Sequence, residues 1–294
     1  MKNKVVVIGG AGFLGSHVAD SLSEREFQVR IVDSKPSPWI SVHQEMAVGD
    51  ILDGGFLKEV TSGVDYVYHM AGIADISDAA SSPKNTMMSN IIGSINVLDA
   101  CIANNIKRVL FASTIYVYSD HGSFYRVSKQ SVELLIEAYL EKYGLEYTIL
   151  RYGSLYGTRA QEWNALKRYV REAVTDKLIQ FKGTGEERRE YIHVLDAARL
   201  SVMALDPKYA NKCLTLTGSQ VYKTKELIEM IREVVGTDVK VELCPNDRDH
   251  QHYALTPYKY TPRRGIKIIA DEFIDIGQGI LDLVEETDHN HNGN

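Results

Sequence analysis

Lys4-Val5-Val6-Val7-Ile8 is followed at once by Gly9-Gly10-Ala11-Gly12-Phe13-Leu14-Gly15. The first run is short, apolar and β-branched, as a strand buried on both faces requires. A helical pattern occupies residues 16–24, and a second apolar strand, Val29-Arg30-Ile31-Val32, ends on Asp33. Strand, glycine turn, helix and strand make one unit. Gly9, Gly12 and Gly15 allow a tight turn, a close backbone approach to a pyrophosphate, and close packing of helix on strand. The pyrophosphate charge then meets the amide groups and positive dipole end of the helix N-terminus, at Gly12, Phe13 and Leu14. Asp33 lies 18 positions after Gly15, where a carboxylate accepts hydrogen bonds from adenosine ribose hydroxyls. It repels a 2′-phosphate, so the expected dinucleotide is NAD rather than NADP.

Outward from this unit, further strand candidates stand at Met46-Ala47-Val48-Gly49-Asp50, Tyr66-Val67-Tyr68-His69, Arg108-Val109-Leu110-Phe111 and Tyr147-Thr148-Ile149-Leu150. Long helical patterns at 91–104 and 127–142 separate the later ones. Such alternation predicts an α/β fold of the Rossmann type, a doubly wound parallel sheet covered by helices on both faces. Right-handed crossovers place every strand C-terminus on one edge, where ligands bind. Beyond residue 154 the alternation loosens into helical patterns at 161–176 and 224–235 and short strands at 178–181 and 239–242. The expected organisation is an NAD-binding domain over 1–153, with a returning segment near 176–200. A smaller C-terminal substrate lobe spans 154–286, and a polar tail at 287–294 reads as disordered.

Composition narrows the function classes. The 294 residues are 44% hydrophobic and 24% charged, with a net charge of −6. That balance, without a basic cluster, argues against a nucleic-acid surface. No apolar run is expected to reach membrane-spanning length, and the chain enters a strand too early for a signal peptide, so a cytoplasmic enzyme is expected. Cys101, Cys213 and Cys244 lack ligand spacing and read as reduced packing residues. His250-Gln-His252 and His289-Asn-His291 have no partner ligands nearby, so no metal is expected.

A second chemical signal is Tyr125-Arg126-Val127-Ser128-Lys129. At a spacing of four, Tyr125 and Lys129 share one helix face. A phenol titrating near 10 is a poor base at neutral pH, and a fixed ammonium favours its phenolate. Lowering its pKa by ~3 units takes ~4 kcal/mol of differential stabilisation. Alone, such a pair is an ordinary surface helix face. Behind a dinucleotide turn, and after the strand-end hydroxyls Ser113 and Thr114, it reads as a base and its electrostatic support. Singly, either hydroxyl reads equally well as a turn or helix cap.

Taken together these motifs resemble the extended short-chain dehydrogenase/reductase family, in its nucleotide-sugar epimerase, dehydratase and reductase branch. The resemblance runs from Val5 to about residue 265. It also covers Gly49-Asp50, His69-Met-Ala-Gly72, Asn90-Ile-Ile-Gly93, Val117-Tyr118, Leu150-Arg-Tyr152, Tyr156-Gly157 and Arg189-Glu-Tyr-Ile-His-Val-Leu-Asp196. It implies that Asp50 contacts the adenine amino group, that Ile51, Ala71, Asn90 and Tyr152 line the cofactor, and that Lys129 holds the nicotinamide ribose. Thr114 polarises a sugar hydroxyl beside Ser113, Tyr125 is the base, and Arg189 meets the substrate diphosphate as guanidinium suits phosphate.

The shared opening step in this branch is oxidation at sugar C4. The 4,6-dehydratases place Asp-Glu or a lone Glu just after the strand-end Thr. Ile115 and Tyr116 stand there, and neither is a carboxylate base, so dehydration is not expected. A 4-epimerase or a 4-dehydrogenase remains; the alternatives are a 4-reductase and a catalytically silent NAD-binding regulator. Two departures bear on the substrate, a nucleotide-diphosphate sugar. Only ten residues separate Thr114 from Tyr125, where relatives insert a longer loop. Ser154 stands where relatives usually carry Asn for substrate contact. Both point to an unusual sugar, such as a heptose in surface-polysaccharide synthesis. The helices after Asn90 and around Tyr125 resemble a homodimer interface, with Val132, Leu134, Leu135 and Tyr139 as candidate apolar contacts.

Overall fold

The computed structural model describes residues 3–244, 265–268 and 272–292. The first half runs β1 (Lys4–Ile8), α1 (Phe13–Glu24), β2 (Gln28–Asp33), β3 (Gln44–Val48), α2 (Gly54–Val60), β4 (Tyr66–His69), α3 (Ile76–Ser81) and α4 (Pro83–Met87). A π-turn, Met88–Ile92, joins α4 to α5 (Gly93–Ala103). Then follow β5 (Arg108–Thr114), a 3-10 turn (Ile115–Tyr118), α6 (Ser123–Tyr143) and β6 (Glu146–Tyr152). The second half holds β7 (Ser154–Tyr156), α7 (Ala165–Thr175), β8 (Leu178–Phe181), β9 (Arg188–His193), α8 (Val194–Met203) and β10 (Lys212–Leu216). After these come β11 (Val221–Lys223), α9 (Thr224–Val235), β12 (Lys240–Leu243), β13 (Ile266–Lys267) and α10 (Ile276–Asn292).

Eight strands form one sheet in the order β13-β10-β6-β5-β4-β1-β2-β3, and each described pairing in it is parallel. This is the doubly wound α/β architecture expected from the alternation. The chain leaves β1 in one direction through β2 and β3, then returns across it to β4, so the topological switch lies between β1 and β4. Strand β1 shows how the period of two builds both layers. Val5 and Val7 pack with Val18 and Leu22 of α1 and Leu200 of α8. Val6 and Ile8 face the other way, onto Leu57 of α2, Val97 of α5 and Val132 of α6.

The smaller lobe has its own core, in which Leu166 and Val170 of α7, Leu227 and Ile231 of α9, and Ile280 and Leu283 of α10 meet. Its sheets are β11-β9-β7 and β12-β8.

Three expectations are corrected. Residues 176–200 do not return as a block: β8 and β9 belong to the small sheets, whereas α8, β10 and β13 return. The more apolar Cys213-Leu214-Thr215-Leu216 takes the open edge of β6. The tail is not wholly irregular, because α10 continues through Asn292. Its buried Ile276, Ile280 and Leu283 anchor the first turns, and adding residues to a formed helix is far less costly than starting one. Of the candidate dimer residues only Leu134 is exposed; Val132, Leu135 and Tyr139 pack into the layer under α6.

Contrary to the expectation from apolar runs, the helical stretch Pro83–Ala103 is long and apolar enough to cross a membrane by length and composition. Val97, Leu98, Ala100 and Cys101 on its inner side are buried in the layer shared with α2 and α6, as a core helix requires. The His250 and His252 pair lies outside the described residues.

Leu22 is fully buried beneath α8. Leu22→Ala should lower the unfolding free energy by about 2–5 kcal/mol, read as a lower urea midpoint at unchanged slope.

Candidate active site

The C-terminal ends of the parallel strands open into a cavity of about 1050 Å³. Gly9, Gly12, Phe13, Leu14 and Gly15 of the first turn line it, as do Asp33, Asp50, Ile51 and Ala71. Ser113, Thr114, Tyr125, Lys129, Tyr152, Ser154 and Arg189 complete the predicted set around the same space. Asn90 is the exception. Its Oδ1 accepts from the Ile73 amide at 2.7 Å, and its Nδ2 donates to the Ile73 carbonyl and the Ser128 hydroxyl, both at 3.0 Å. Ser128 in turn donates to the Tyr125 carbonyl. Asn90 therefore stands behind the cavity wall, tying the loop after β4 to the turn that carries Tyr125.

The dinucleotide cradle depends on missing side chains. Gly9 has φ +85°, and a Cβ there would lie 2.5 Å from the Ala71 amide nitrogen, while a Cβ on Gly15 would overlap the Gly9 carbonyl oxygen. Gly12 begins α1 without a side-chain cap, leaving the first-turn amides to an anion. Asp33 Oδ2 accepts from the Ala11 amide at 3.1 Å, which fixes its carboxylate at the rim of this turn. The residues present thus fit a dinucleotide with free ribose hydroxyls.

Around the opposite wall, β5 delivers the hydroxyls and α6 the phenol and ammonium. Thr114 Oγ1 accepts from the Tyr116 amide at 3.2 Å, capping the 3-10 turn without using its own proton. Its capping and lining roles therefore coexist. Ser113 differs: its hydroxyl donates to Glu133 Oε1 at 2.6 Å, so that proton is directed to the protein rather than to a sugar.

Lys129 is buried and donates from Nζ to the Ala112 carbonyl at 2.8 Å. The ammonium lies 4.8 Å from the Phe111 ring centroid and 5.9 Å from that of Tyr125. Burial pulls its pKa down to about 8, and Glu133 one turn on pulls it back up. The same charge, added to burial, holds His69 at about 3, so that histidine is a neutral core residue. Tyr152 puts its ring in the wall and its hydroxyl against Ser201 Oγ at 2.6 Å, where burial pushes the phenol up.

The small lobe supplies lining residues that the motifs did not announce, among them Trp163, Asn164, Arg168, Phe181, Lys182 and Glu187. Asn164 carries a readable signal. It caps α7 through its Oδ1 and the Lys167 amide, just ahead of an amphipathic helix. Tyr116 also lines the cavity, edge-on to Tyr125 with ring centroids 6.3 Å apart.

Gly15→Ala should abolish dinucleotide binding and lower stability, because the added methyl meets the Gly9 carbonyl and pushes α1 away from the turn. Isothermal titration with NAD, alongside circular dichroism, measures both.

The NAD dependent epimerase/dehydratase family matches residues 5–213. The chain is 26% identical over 279 residues, 86% of each chain, to a UDP-N-acetyl-alpha-D-glucosaminuronate decarboxylase of Bacillus cytotoxicus. It is 28% identical over 253 residues to a putative UDP-glucose 4-epimerase of Methanocaldococcus jannaschii, covering 79% of this chain and 82% of that one. In structure it is similar to the UDP-glucose 4-epimerase of Thermotoga maritima solved with UDP-glucose. The TM-score is 0.85 at 23% identity, covering 98% of this chain and 99% of that one. A family match spanning most of both layers of the large sheet is decisive: this protein is an NAD-dependent enzyme that belongs to the epimerase/dehydratase family.

Proposed function

We propose that the protein is a 4-epimerase of a nucleotide-diphosphate sugar. The observation that carries this reading is the convergence of Thr114, Tyr125 and Lys129 on a cavity that continues into the small lobe as far as Arg189. The glycine turn of the large sheet and Arg168, Lys182 and Arg189 of the small lobe line that same cavity. A ligand that joins a diphosphate to a reacting hydroxyl matches that set of groups.

In this reading Tyr125 takes the C4 hydroxyl proton and Thr114 donates a hydrogen bond to the same oxygen. NAD, when bound, supplies the hydride acceptor and later the donor. Lys129, fixed by the Ala112 carbonyl, keeps a positive charge beside the phenol and offers its remaining protons to the nicotinamide ribose. Asp33 accepts from the adenosine ribose and Asp50 from the adenine amino group. Ser154 contacts the sugar and Arg189 its diphosphate. Inversion needs the oxidised sugar to present its other face; the cavity volume and the ten-residue span between Thr114 and Tyr125 support room for that rotation.

Tyr116 beside Tyr125, in place of a carboxylate, supports a reaction without dehydration. Release of the keto sugar, a 4-dehydrogenase outcome, is the second reading, favoured by the same open span. Asp33 weighs against an NADPH-dependent 4-reductase, and the complete Thr114, Tyr125 and Lys129 set against a silent regulator. The proposal includes an unusual sugar destined for surface polysaccharide, supported by Ser154 and the short span, and a cytoplasmic setting, supported by three cysteines that form no disulfide among the described residues.

Incubation with a panel of nucleotide sugars, read by mass spectrometry and NMR, tests this. An unchanged mass with inverted C4 is expected. Loss of two hydrogens moves the assignment to the dehydrogenase; loss of water or carbon dioxide, or NAD bound without turnover, overturns it.

A homodimer belongs to the same proposal. Met88 and Ile92 of the π-turn and Val127 and Leu134 of α6 are exposed apolar side chains, which fit an isologous helical interface. Sedimentation equilibrium should give a dimer at micromolar concentration, and Leu134→Glu a monomer. A monomeric parent protein removes this part of the proposal.

A further inference from the structure

One buried ionic cluster has no part in the chemistry described so far. Glu133 and Arg151 are both almost completely buried. Arg151 Nε and Nη2 donate to Glu133 Oε1 and Oε2 at 2.9 and 2.6 Å, a two-point contact. Glu133 Oε1 also accepts from Ser113, and Arg151 Nη1 donates to Tyr118 Oη at 2.7 Å.

Each partner neighbours a residue of the site. Ser113 precedes Thr114 at the end of β5, and Arg151 precedes Tyr152 at the end of β6. Glu133 lies on α6 one turn beyond Lys129 and two beyond Tyr125. Two charges taken out of water need more than mutual attraction to justify their place, since apolar packing of the same volume is often at least as stable.

We propose that Glu133 is a positioning residue of the reaction: held by Arg151 and Ser113, it fixes the helix carrying Tyr125 and Lys129 against the strand ends carrying Thr114 and Tyr152. It also sets the charge around Lys129. The groups facing that ammonium are Tyr125 and Glu133 from α6, His69 from β4, and the Phe111 ring and Ala112 carbonyl from β5. Arg151 of β6 stands behind Glu133. His69 is neutral, so Glu133 is the negative member of the set and counters the burial of Lys129. Neutralising it leaves Arg151 uncompensated, and both changes lower the Lys129 pKa. The sign follows: an ammonium needed in charged form is lost at a lower pH.

The inference rests on the roles given to Tyr125 and Lys129 above. The test is therefore a titration of the Lys129 side chain by NMR, its signal identified by its loss in Lys129→Arg, in the full chain with NAD. With Glu133→Gln the midpoint should fall by about one unit or more from the parent value. With a sugar that the parent protein converts, kcat should fall about tenfold or more at unchanged KM, and the alkaline limb of the rate profile should move to lower pH.

If Glu133→Gln does not fold, Glu133→Gln with Arg151→Met removes both charges. The tie from α6 to β6 is then lost, and kcat should fall at unchanged KM. A Lys129 midpoint unmoved in Glu133→Gln, or kcat within twofold of the parent in the double variant, assigns the cluster to stability alone and overturns the proposal. If the parent protein converts no nucleotide sugar, the reaction assigned above fails, while the Lys129 midpoint still judges Glu133.

Discussion

At the turn after β1 three pieces of backbone approach more closely than side chains permit. The Gly9 carbonyl lies under the first turn of α1 at Gly15, and the Gly9 α-carbon faces the Ala71 amide at the end of β4. Without these contacts α1 would stand off the sheet, and the gap between β1 and β4 would close on a side chain instead of a ligand. The cavity follows from that steric constraint. Because β1 and β4 flank the topological switch, everything carried at the ends of β2, β3, β5 and β6 is brought toward the same gap. The glycines therefore shape the far wall as well as the near one.

The far wall is set by charge. Lys129 is held where solvent does not reach it, by one carbonyl and one carboxylate a turn away. Such a group is sensitive to every neighbouring charge, which fits the electrostatic role proposed for it. Ser113 shows the cost of that arrangement. Of two adjacent hydroxyls at the end of β5, one spends its proton on Glu133 and the other keeps its proton at the cavity wall.

How much of this could be read from residues alone follows from the range of the interactions. The unit from β1 to Asp33 is local in the chain: a buried strand, a glycine turn and a helix announce themselves by period and spacing, and the architecture follows. Tyr125 and Lys129 are legible because a helix brings positions four apart together. Arg151, Glu133 and Ser113 meet only through the packing of α6 across β5 and β6, so no spacing announces them. Asn90 sits in a π-turn, which departs from the helical period that placed it on the cavity. Trp163 and Glu187 come from irregular segments of the small lobe, and Arg168 from α7, whose helical period marks the face toward the core and not the residues that reach the cavity. Residues 287–292 look polar and irregular, and their helix is set by apolar anchors upstream.

The order of strands in the large sheet has a consequence for synthesis on the ribosome. The strands from β1 to β6 are complete once residue 152 has emerged, yet the free edge of β6 is covered only by β10, some sixty residues later. Until then the nascent chain presents an apolar strand, Tyr147-Thr148-Ile149-Leu150, with unpaired backbone groups, a template for pairing with another chain. The segments that build most of α7 and its neighbours are threaded between the two halves of one sheet. Truncation after the cofactor half would leave an adhesive product rather than a smaller protein, and a chaperone that holds nascent edges would act in this interval.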